Sequence, residues 1–403
     1  MNNKNLAILA AATAIVAGAA VVMNKSRSTT PSEISDGVDT SAPLLFPDLA
    51  GKAPSIAKVS LKQGAIEIAL SKVGEEWVLS SKSGFPAKVK NVSDVVSWAA
   101  QARKAQEKTS KKDLYAKLGV EDPAQPEAKS ILLTLTDSGG APLASVIVGN
   151  ASGAGRFARL PDAAQSYLAS GSVDMSINPM SWVDTKVVQL ASARLAGASF
   201  TVPNPAGGEP LVTVIKRTDP NDNKFVIENM PAGRKVKDEY VASRAAQCLA
   251  FADFEDVRPL AEVSFDSPQA SSAEFRTLDH LVIRTKTIEH EGKRWSTFAA
   301  AYEPPAPAPV PSEVPAATPA ANGAASIEDP ATPAPAQPAA ETAKEDPKAA
   351  EVRAEAEGLN KLFAKWAFVL PEFTTSRLQT KPEDLLAALE GATEGPSGPR
   401  PGG

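Results

Sequence analysis

The sequence predicts an α+β protein. It should hold two related units of mostly antiparallel strands, each with one packed helix, preceded by a single N-terminal transmembrane helix. Three observations predict this. Short stretches alternate apolar and polar residues between turn signals, the period of half-buried strands. Each half of the chain carries a stretch with apolar residues at helical spacing. The order strand–strand–helix–strand–strand also comes round twice, which fits a duplication and is too few copies for a solenoid.

Composition sets the outer bounds. A chain of 403 residues with 43% hydrophobic content can build two or three cored domains, but 5% aromatic content keeps those cores modest. The net charge of -5 leaves no basic surplus for gripping a phosphate backbone, so nucleic acid is excluded as the expected partner. Cys248 is the only cysteine, so no intrachain disulfide forms, and cysteine usage does not decide the compartment.

Residues 6–23 form an apolar run broken only by Thr13, with Lys4 before it and Lys25 and Arg27 after it. Its length is near the lower limit for a membrane-spanning helix. An uncleaved signal anchor within 1–27 is the preferred reading. A cleaved signal peptide, with Ala17-Gly18-Ala19 as the cleavage site, is the alternative. No cysteine follows the run, so lipoprotein anchoring is excluded. Flanking charge does not orient the segment, because Lys4 and the α-amine balance Lys25 and Arg27. Both readings are export signals, so the bulk of the chain is expected outside the cytoplasm, tethered through 28–52, a Ser-, Thr-, Pro- and Asp-rich stretch without period.

The first unit is read as 53–195. Ile66, Ile68 and Leu70 alternate as a strand, Gly74 turns it, and Trp77-Val78-Leu79 returns before Pro86. Asn91 is placed as a helix cap, with Val92, Val95, Val96, Ala99 and Ala102 on the apolar face. The chain then runs through Leu114-Tyr115-Ala116-Lys117-Leu118-Gly119-Val120-Glu121-Asp122-Pro123. Strands follow at Ile131 to Leu135, Val146 to Val148 and Phe157 to Leu160, with Asp137-Ser138-Gly139-Gly140 as a hairpin turn. Residues 166–191 are expected to form short helices.

The second unit is read as 196–302. Strands are expected at Val212 to Lys216 and Lys224 to Ile227. A helix opens at Val236-Lys237-Asp238 and carries Val241, Ala245, Cys248, Leu249 and Ala252 on one face. A loop covers 256–268, and Leu281 to Thr285 and Trp295 to Phe298 are strands. The Pro/Ala-rich tract 303–348 cannot pack a core and reads as an extended, disordered insert. In 349–390, Val352, Ala356, Leu359, Phe363 and Trp366 define an amphipathic helix, Phe368 to Leu370 a strand returning to the second sheet, and Pro382 opens a last helix. Residues 391–403 read as a disordered tail.

Several of these pieces resemble the bacterial family called domain of unknown function 4340. They are Trp77 with Pro86, Leu114 through Gly119 with Asp122-Pro123, and Val146-Ile147-Val148-Gly149. The second half adds Phe275-Arg276-Thr277-Leu278-Asp279-His280-Leu281, similar to a family segment Phe-x-Thr-x-Asp-Gly-Leu. Lys365-Trp366-Ala367-Phe368-Val369-Leu370-Pro371 resembles its Trp-x-Tyr-x-Ile-Pro segment. His280 stands where Gly is usual, and Phe368 where Tyr is common. The resemblance covers most of 56–389. It implies one N-terminal anchoring helix and no established activity, and it includes members that serve as auxiliary parts of gliding-motility ABC transporters.

No catalytic, cofactor-binding or metal site is expected. His280 and His290, with Glu289 and Glu291, lack the spacing that puts two ligands on one helical face, and Glu289-His290-Glu291-Gly292 reads as a hairpin tip. The glycines from Gly149 to Gly155 lack the Lys-Ser/Thr ending of a phosphate loop and the Gly-x-Ser-x-Gly nucleophile pattern. Cys248 reads as a buried small hydrophobe. Trp77, Trp98, Trp182, Trp295 and Trp366 read as core anchors. The expected function is a non-enzymatic scaffold or auxiliary subunit of an ABC transporter-like membrane complex, single-pass in a bacterial inner membrane through 6–23. The alternative is an extracytoplasmic binding module for cell-wall glycan or a small ligand, its mark being an exposed aromatic cleft. A hydrolase is least favoured, for want of histidine and of a nucleophile motif.

Overall fold

The computed structural model describes residues 41–304 and 347–388. The 6–23 run, the start of the tether, nearly all of the Pro/Ala-rich tract and the chain beyond 388 lie outside the described residues. No helix among the described residues is long and apolar enough to cross a membrane. The chain divides into two compact units, Met1–Thr185 and Lys186–Gly403. The architecture is α+β, built mainly on antiparallel sheets.

The first unit contains α1 (Leu49–Lys52), β1 (Ile56–Gln63), β2 (Ile66–Val73), β3 (Glu76–Leu79), β4 (Phe85–Pro86), α2 (Val89–Gln101), β5 (Lys104–Glu107), α3 (Tyr115–Leu118), β6 (Ile131–Asp137), β7 (Pro142–Ser152), β8 (Gly155–Arg159) and β9 (Ser166–Ser170). Among the described residues nine strands form one sheet in the order β4-β3-β2-β1-β6-β7-β8-β9-β5. Register follows the apolar pattern: Val59 sits between Leu70 and Leu135, and Leu61 between Ile68 and Leu133. A slip of one residue would turn that whole set to the other face. Helix α2 buries Val92, Val95, Trp98 and Ala99.

The second unit contains β10 (Lys186–Val188), β11 (Leu195–Val202), β12 (Leu211–Arg217), β13 (Phe225–Ile227), α4 (Val241–Ala246), β14 (Ala252–Asp253), β15 (Asp256–Pro259), β16 (Ser271–Thr277), β17 (Leu281–His290), β18 (Lys293–Tyr302), α5 (Pro347–Phe363), β19 (Trp366–Val369), α6 (Glu372–Leu378) and α7 (Pro382–Leu385). Eight described strands form a sheet in the order β13-β12-β11-β16-β17-β18-β19-β15, and β10 and β14 make a separate ribbon. The order β3-β2-β1-β6-β7-β8-β9-β5 in the first sheet is thus matched strand for strand in the second.

Both sheets are apolar on two faces at their centre. In the first, Leu133 pairs with Val146 and the next residues, Leu132 and Ile147, pair on the opposite face. Ile147 packs with Tyr115 and Val120, which arrive from α3 and its exit. In the second, Phe298 meets Phe363 and Phe368 on one face, at ring-centre distances of 5.4 and 6.2 Å. Trp295 packs with Val263, Phe265 and Ala367 in a separate cluster. The covering segments occupy equivalent places in the chain, after β5 and after β15.

Several expectations need correction. Residues 166–191 are not short helices: they hold strand β9, a 3-10 turn at Pro179–Trp182 and strand β10. Ser166–Ser170 has no strong period of its own and takes strand form because β8 and β5 flank it. Asn91 does not cap α2, which starts two residues earlier. Its amide instead donates to the Ser181 carbonyl at 2.8 Å. The helix expected from Val236 shrinks to α4, because Val236 bridges to Leu386 and Ala252 joins β14. The loop expected over 256–268 contains edge strand β15, paired with β19. Trp366 leaves the helical face and opens β19. The second unit carries four described helices where three were expected, α6 being the addition. Strands β1, β11 and β16, all central, escape the sequence reading.

Packing is tight where α3 ends on β7. Gly119 turns the chain at φ +67°. A Cβ on Gly149 would lie 2.4 Å from the Leu118 carbonyl oxygen and 2.7 Å from that of Gly119, both backbone atoms that cannot swing away. Gly149→Ala is therefore expected to lose at least about 1–3 kcal/mol of stability, the range for overpacking, read as a lower urea midpoint. Gly51→Ala, with nothing within 4 Å of the new methyl, should be neutral or slightly stabilising. Equal midpoints for the two variants would refute this packing account.

Candidate functional site

Two of the family-like segments of the first unit meet at Gly149. The carbonyls of Leu118 and Gly119 lie against Gly149. Val78 of β3 pairs with Pro86 of β4. Tyr115 is buried, donates its hydroxyl to the Ala164 carbonyl, and lies under the Arg159 guanidinium at 4.5 Å. Arg159 donates to the carbonyls of Val120, Pro161 and Ala163. This charge is held by peptide dipoles and a ring, and it locks the α3 cover onto β8.

In the second unit the Phe-x-Thr-x-Asp segment makes a clamp. Phe275 meets Phe200 edge-on at 5.8 Å. The Thr277 oxygen accepts from the Leu281 amide at 2.8 Å and donates to the Asp279 carboxylate. Arg194 bridges Asp279 at 3.0 Å and Glu355 of α5 at 2.8 Å. Burial pushes the Asp279 carboxyl up, but the Thr277 hydroxyl and the Arg194 charge together hold it below the usual carboxylate range. The Glu355 hydrogen bond leads the causes that raise Arg194. His280 occupies a left-handed position, φ +69°, a backbone shape that glycine adopts freely. Its ring lies 6.3 Å from that of Tyr302.

A groove with charged walls lies in the second unit. The 3-10 turn Leu260–Glu262 and residues 263–266 fold over β17 and β18. They enclose a groove of about 480 Å³ whose other wall carries Arg284, Lys286, Thr297 and Ala299. This volume is in the range of small-molecule sites. One side is apolar, with Leu260, Val263 and Phe265 resting on Trp295. Arg258 stacks on that tryptophan at 4.3 Å. The other side is charged: Lys286 reaches Asp266 at 3.4 Å. Arg284 is held by Glu274 and Glu303, each at 2.7 Å. The groove thus sets an apolar wall beside a charged one. A second hollow, of about 500 Å³, lies between the β1–β2 turn and residues 124–128 and has no charged lining.

The residues weighed from sequence are placed as follows. His280 and His290 stand at opposite ends of β17, roughly 30 Å apart along a strand of that length, too far to share an ion. Glu291 sits at the hairpin tip at φ +52° and pairs with Arg258, which lowers its carboxyl. Residues 149–155 form the end of β7 and its turn into β8. Cys248 is buried, lies past the end of α4, and burial pushes its thiol up to about 12. Trp98, Trp182, Trp295 and Trp366 are buried and Trp77 is half-buried. Sequence reasoning missed Arg284, Lys286 and Phe265. The alternation of Arg284 and Lys286 with Ile283 and Thr285 is the signal that could have placed the first two on one face.

Comparison with known families bears on these segments directly. Residues 77–272 match the family model described as Domain of unknown function (DUF4340). That stretch is similar to the family. No curated protein and no solved structure matches the chain.

Two predictions follow from the clamp. Asp279→Asn should lower the urea midpoint at pH 7, and the gap from wild type should narrow as pH falls below about 4. A carboxyl depressed in the fold stabilises it above its unfolded value, and that contribution fades as pH drops through the folded value. A gap that is constant with pH would show that the Arg194 pair is not its source. At the neighbouring position, His280→Gly is expected to unfold at an equal or higher urea concentration. His280→Val, β-branched in a left-handed turn, should lose about 1–2 kcal/mol. Equal stability of all three proteins would remove the conformational account of this position.

Proposed function

We propose that this chain is a non-enzymatic envelope protein that docks onto a membrane complex of the ABC transporter type. It would be held single-pass in a bacterial inner membrane through residues 6–23, with its folded units on the extracytoplasmic side. The observation that supports a docking role most is the way the folded units use their chemistry. Asp279, Glu303, Arg194 and Arg284 are committed to ion pairs that fix turns and strands, while large apolar side chains stand on the surface of the second unit. Val226, Met230, Tyr240 and Phe251 are all exposed, Phe251 to 79%. Exposed apolar groups favour protein contacts where they form a contiguous patch.

A second reading, an extracytoplasmic module for a small ligand, is favoured by the groove under residues 260–266. Within that reading the burial of four tryptophans turns attention from a glycan-stacking platform to this groove.

The test is crosslinking in native membranes, mild detergent extraction and identification of copurifying proteins. Transporter-type subunits should be recovered with the wild-type chain. Their yield should fall several-fold for Val226→Ser/Phe251→Ser with the fold unchanged by circular dichroism. Recovery of the chain without partners would overturn the docking reading and leave ligand binding in the groove.

A further inference from the structure

The β5 edge of the first unit carries an unneutralised positive charge at the place where the N-terminal segment joins the fold. From Arg103 to Lys117 the sequence has six cations, Arg103, Lys104, Lys108, Lys111, Lys112 and Lys117, against two acids, Glu107 and Asp113. The whole chain is net negative, so this is a local reversal of sign. Among the described residues none of the six is in an ion pair. Their partners are neutral: the Arg103 guanidinium donates to the Ala42 carbonyl at 2.7 Å, and the Lys108 ammonium donates to Gln106 at 2.7 Å.

The local backbone spreads these charges. The register of β5 on β9 shifts between Lys104 and Gln106, and a bulge of one residue moves the following side chains to the other face. Lys104 accordingly lies over the Tyr167 ring at 5.2 Å, and Lys108 over the Phe157 ring at 5.7 Å. Cations therefore flank the edge on both faces, held by rings that leave their charge uncancelled. Lys108, Lys111, Lys112 and Lys117 are exposed.

The chain from the N-terminal run arrives at this same edge. Leu44 bridges to Arg103, the Leu45 amide donates to the Ala102 carbonyl at 2.7 Å, and the Lys104 amide donates to the Pro43 carbonyl at 2.9 Å. Residues 24–40 separate the 6–23 run from the described fold. Fully extended they span at most roughly 60 Å.

We propose that the β5 edge is an electrostatic docking surface for the anionic headgroups of the bilayer in which 6–23 is anchored. The proposal rests on the anchored reading above and adds a second contact with the membrane. A cationic edge on a short tether is held where anionic lipids can attract it, and the attraction acts over a Debye length, about 8–10 Å at physiological salt. Docking would orient the first unit with β5 toward the lipid.

The experiment uses the full chain, mixed with vesicles of phosphatidylcholine alone or with phosphatidylglycerol. Flotation reads association, and mass-spectrometric lysine acetylation reads exposure. The expected result is flotation with both lipids. Labelling of Lys104, Lys108, Lys111 and Lys112 should be several-fold slower on the phosphatidylglycerol vesicles, and high salt should reverse this, with Lys90 and Lys216 unchanged. Lys111→Glu/Lys112→Glu should abolish the protection of Lys104 and Lys108 while flotation persists. Flotation with equal labelling in both lipids overturns the docking surface and leaves the anchor standing. No flotation overturns the anchored reading and this proposal with it. Protection in native membranes but not on phosphatidylglycerol vesicles overturns the lipid assignment in favour of an acidic protein partner.

Discussion

The fold depends on strands that must be buried on both faces. Consecutive residues Leu132-Leu133 and Val146-Ile147 send apolar side chains to opposite sides of the first sheet. Trp295 and Phe298 do the same in the second. Leaving one such side chain in water forgoes about 1.5–3 kcal/mol. Neither sheet can therefore stand with one solvated face, the usual freedom of an antiparallel sheet. One face takes helices. The other takes a folded-back segment, and that second cover shapes the rest. It demands a strand surface close enough to touch, which is why Gly149 lies under two carbonyls. It also demands an anchor for the cover itself, which Arg159 supplies in the first unit by stacking on Tyr115, and which Val263 and Phe265 supply in the second by packing on Trp295.

The two units solve their charge problem differently. In the first, Arg156 donates to the carbonyls of Gly149 and Val173, and Arg159, Lys104 and Lys108 lie on carbonyls, an amide and rings. In the second, Glu274, Arg276, Arg284 and Glu303 neutralise one another on neighbouring strands. Most of these pairs are part exposed, so each contributes little to stability. Their effect is to cancel the local field. A partner meeting the second unit sees an almost neutral, partly apolar surface, whereas one meeting the β5 edge sees uncompensated charge.

Legibility followed the physics of each segment. Strands β2, β6 and β7 were readable because their alternation or apolar run is local and bounded by turn residues. Helix α2 was readable because four buried positions recur at helical spacing. The return of the chain at Phe368 and Val369 to the second sheet was also readable, since a short apolar run after a helix has few other places to go. By contrast, β9 and β15 are strands because neighbours supply hydrogen bonds, and no local period records that. The helix at Val236 failed because two competing contacts, with Leu386 and with β10, draw its ends away. The groove was not legible, since it joins residues 260–266 to β17 and β18 by tertiary folding alone.

The matching strand orders also explain where the Pro/Ala-rich tract could enter. In the first unit β8 and β9 are joined by residues 160–165. The equivalent connection in the second, between β18 and β19, runs over 303–365. Closing a loop roughly tenfold longer costs only about 2 kcal/mol in chain entropy. Helix α5, within that connection, buries Val352, Ala356 and Phe363. Burial of Val352 and Phe363 alone returns about 1.5–3 kcal/mol each, and the Arg194–Glu355 pair fixes the helix against the 277–281 turn. The departing end is held as well: the Glu303 amide donates to the His280 carbonyl at 2.9 Å, and its carboxylate pairs with Arg284. The long connection is thus pinned at both ends to one turn, and the sheet keeps its order despite the interruption.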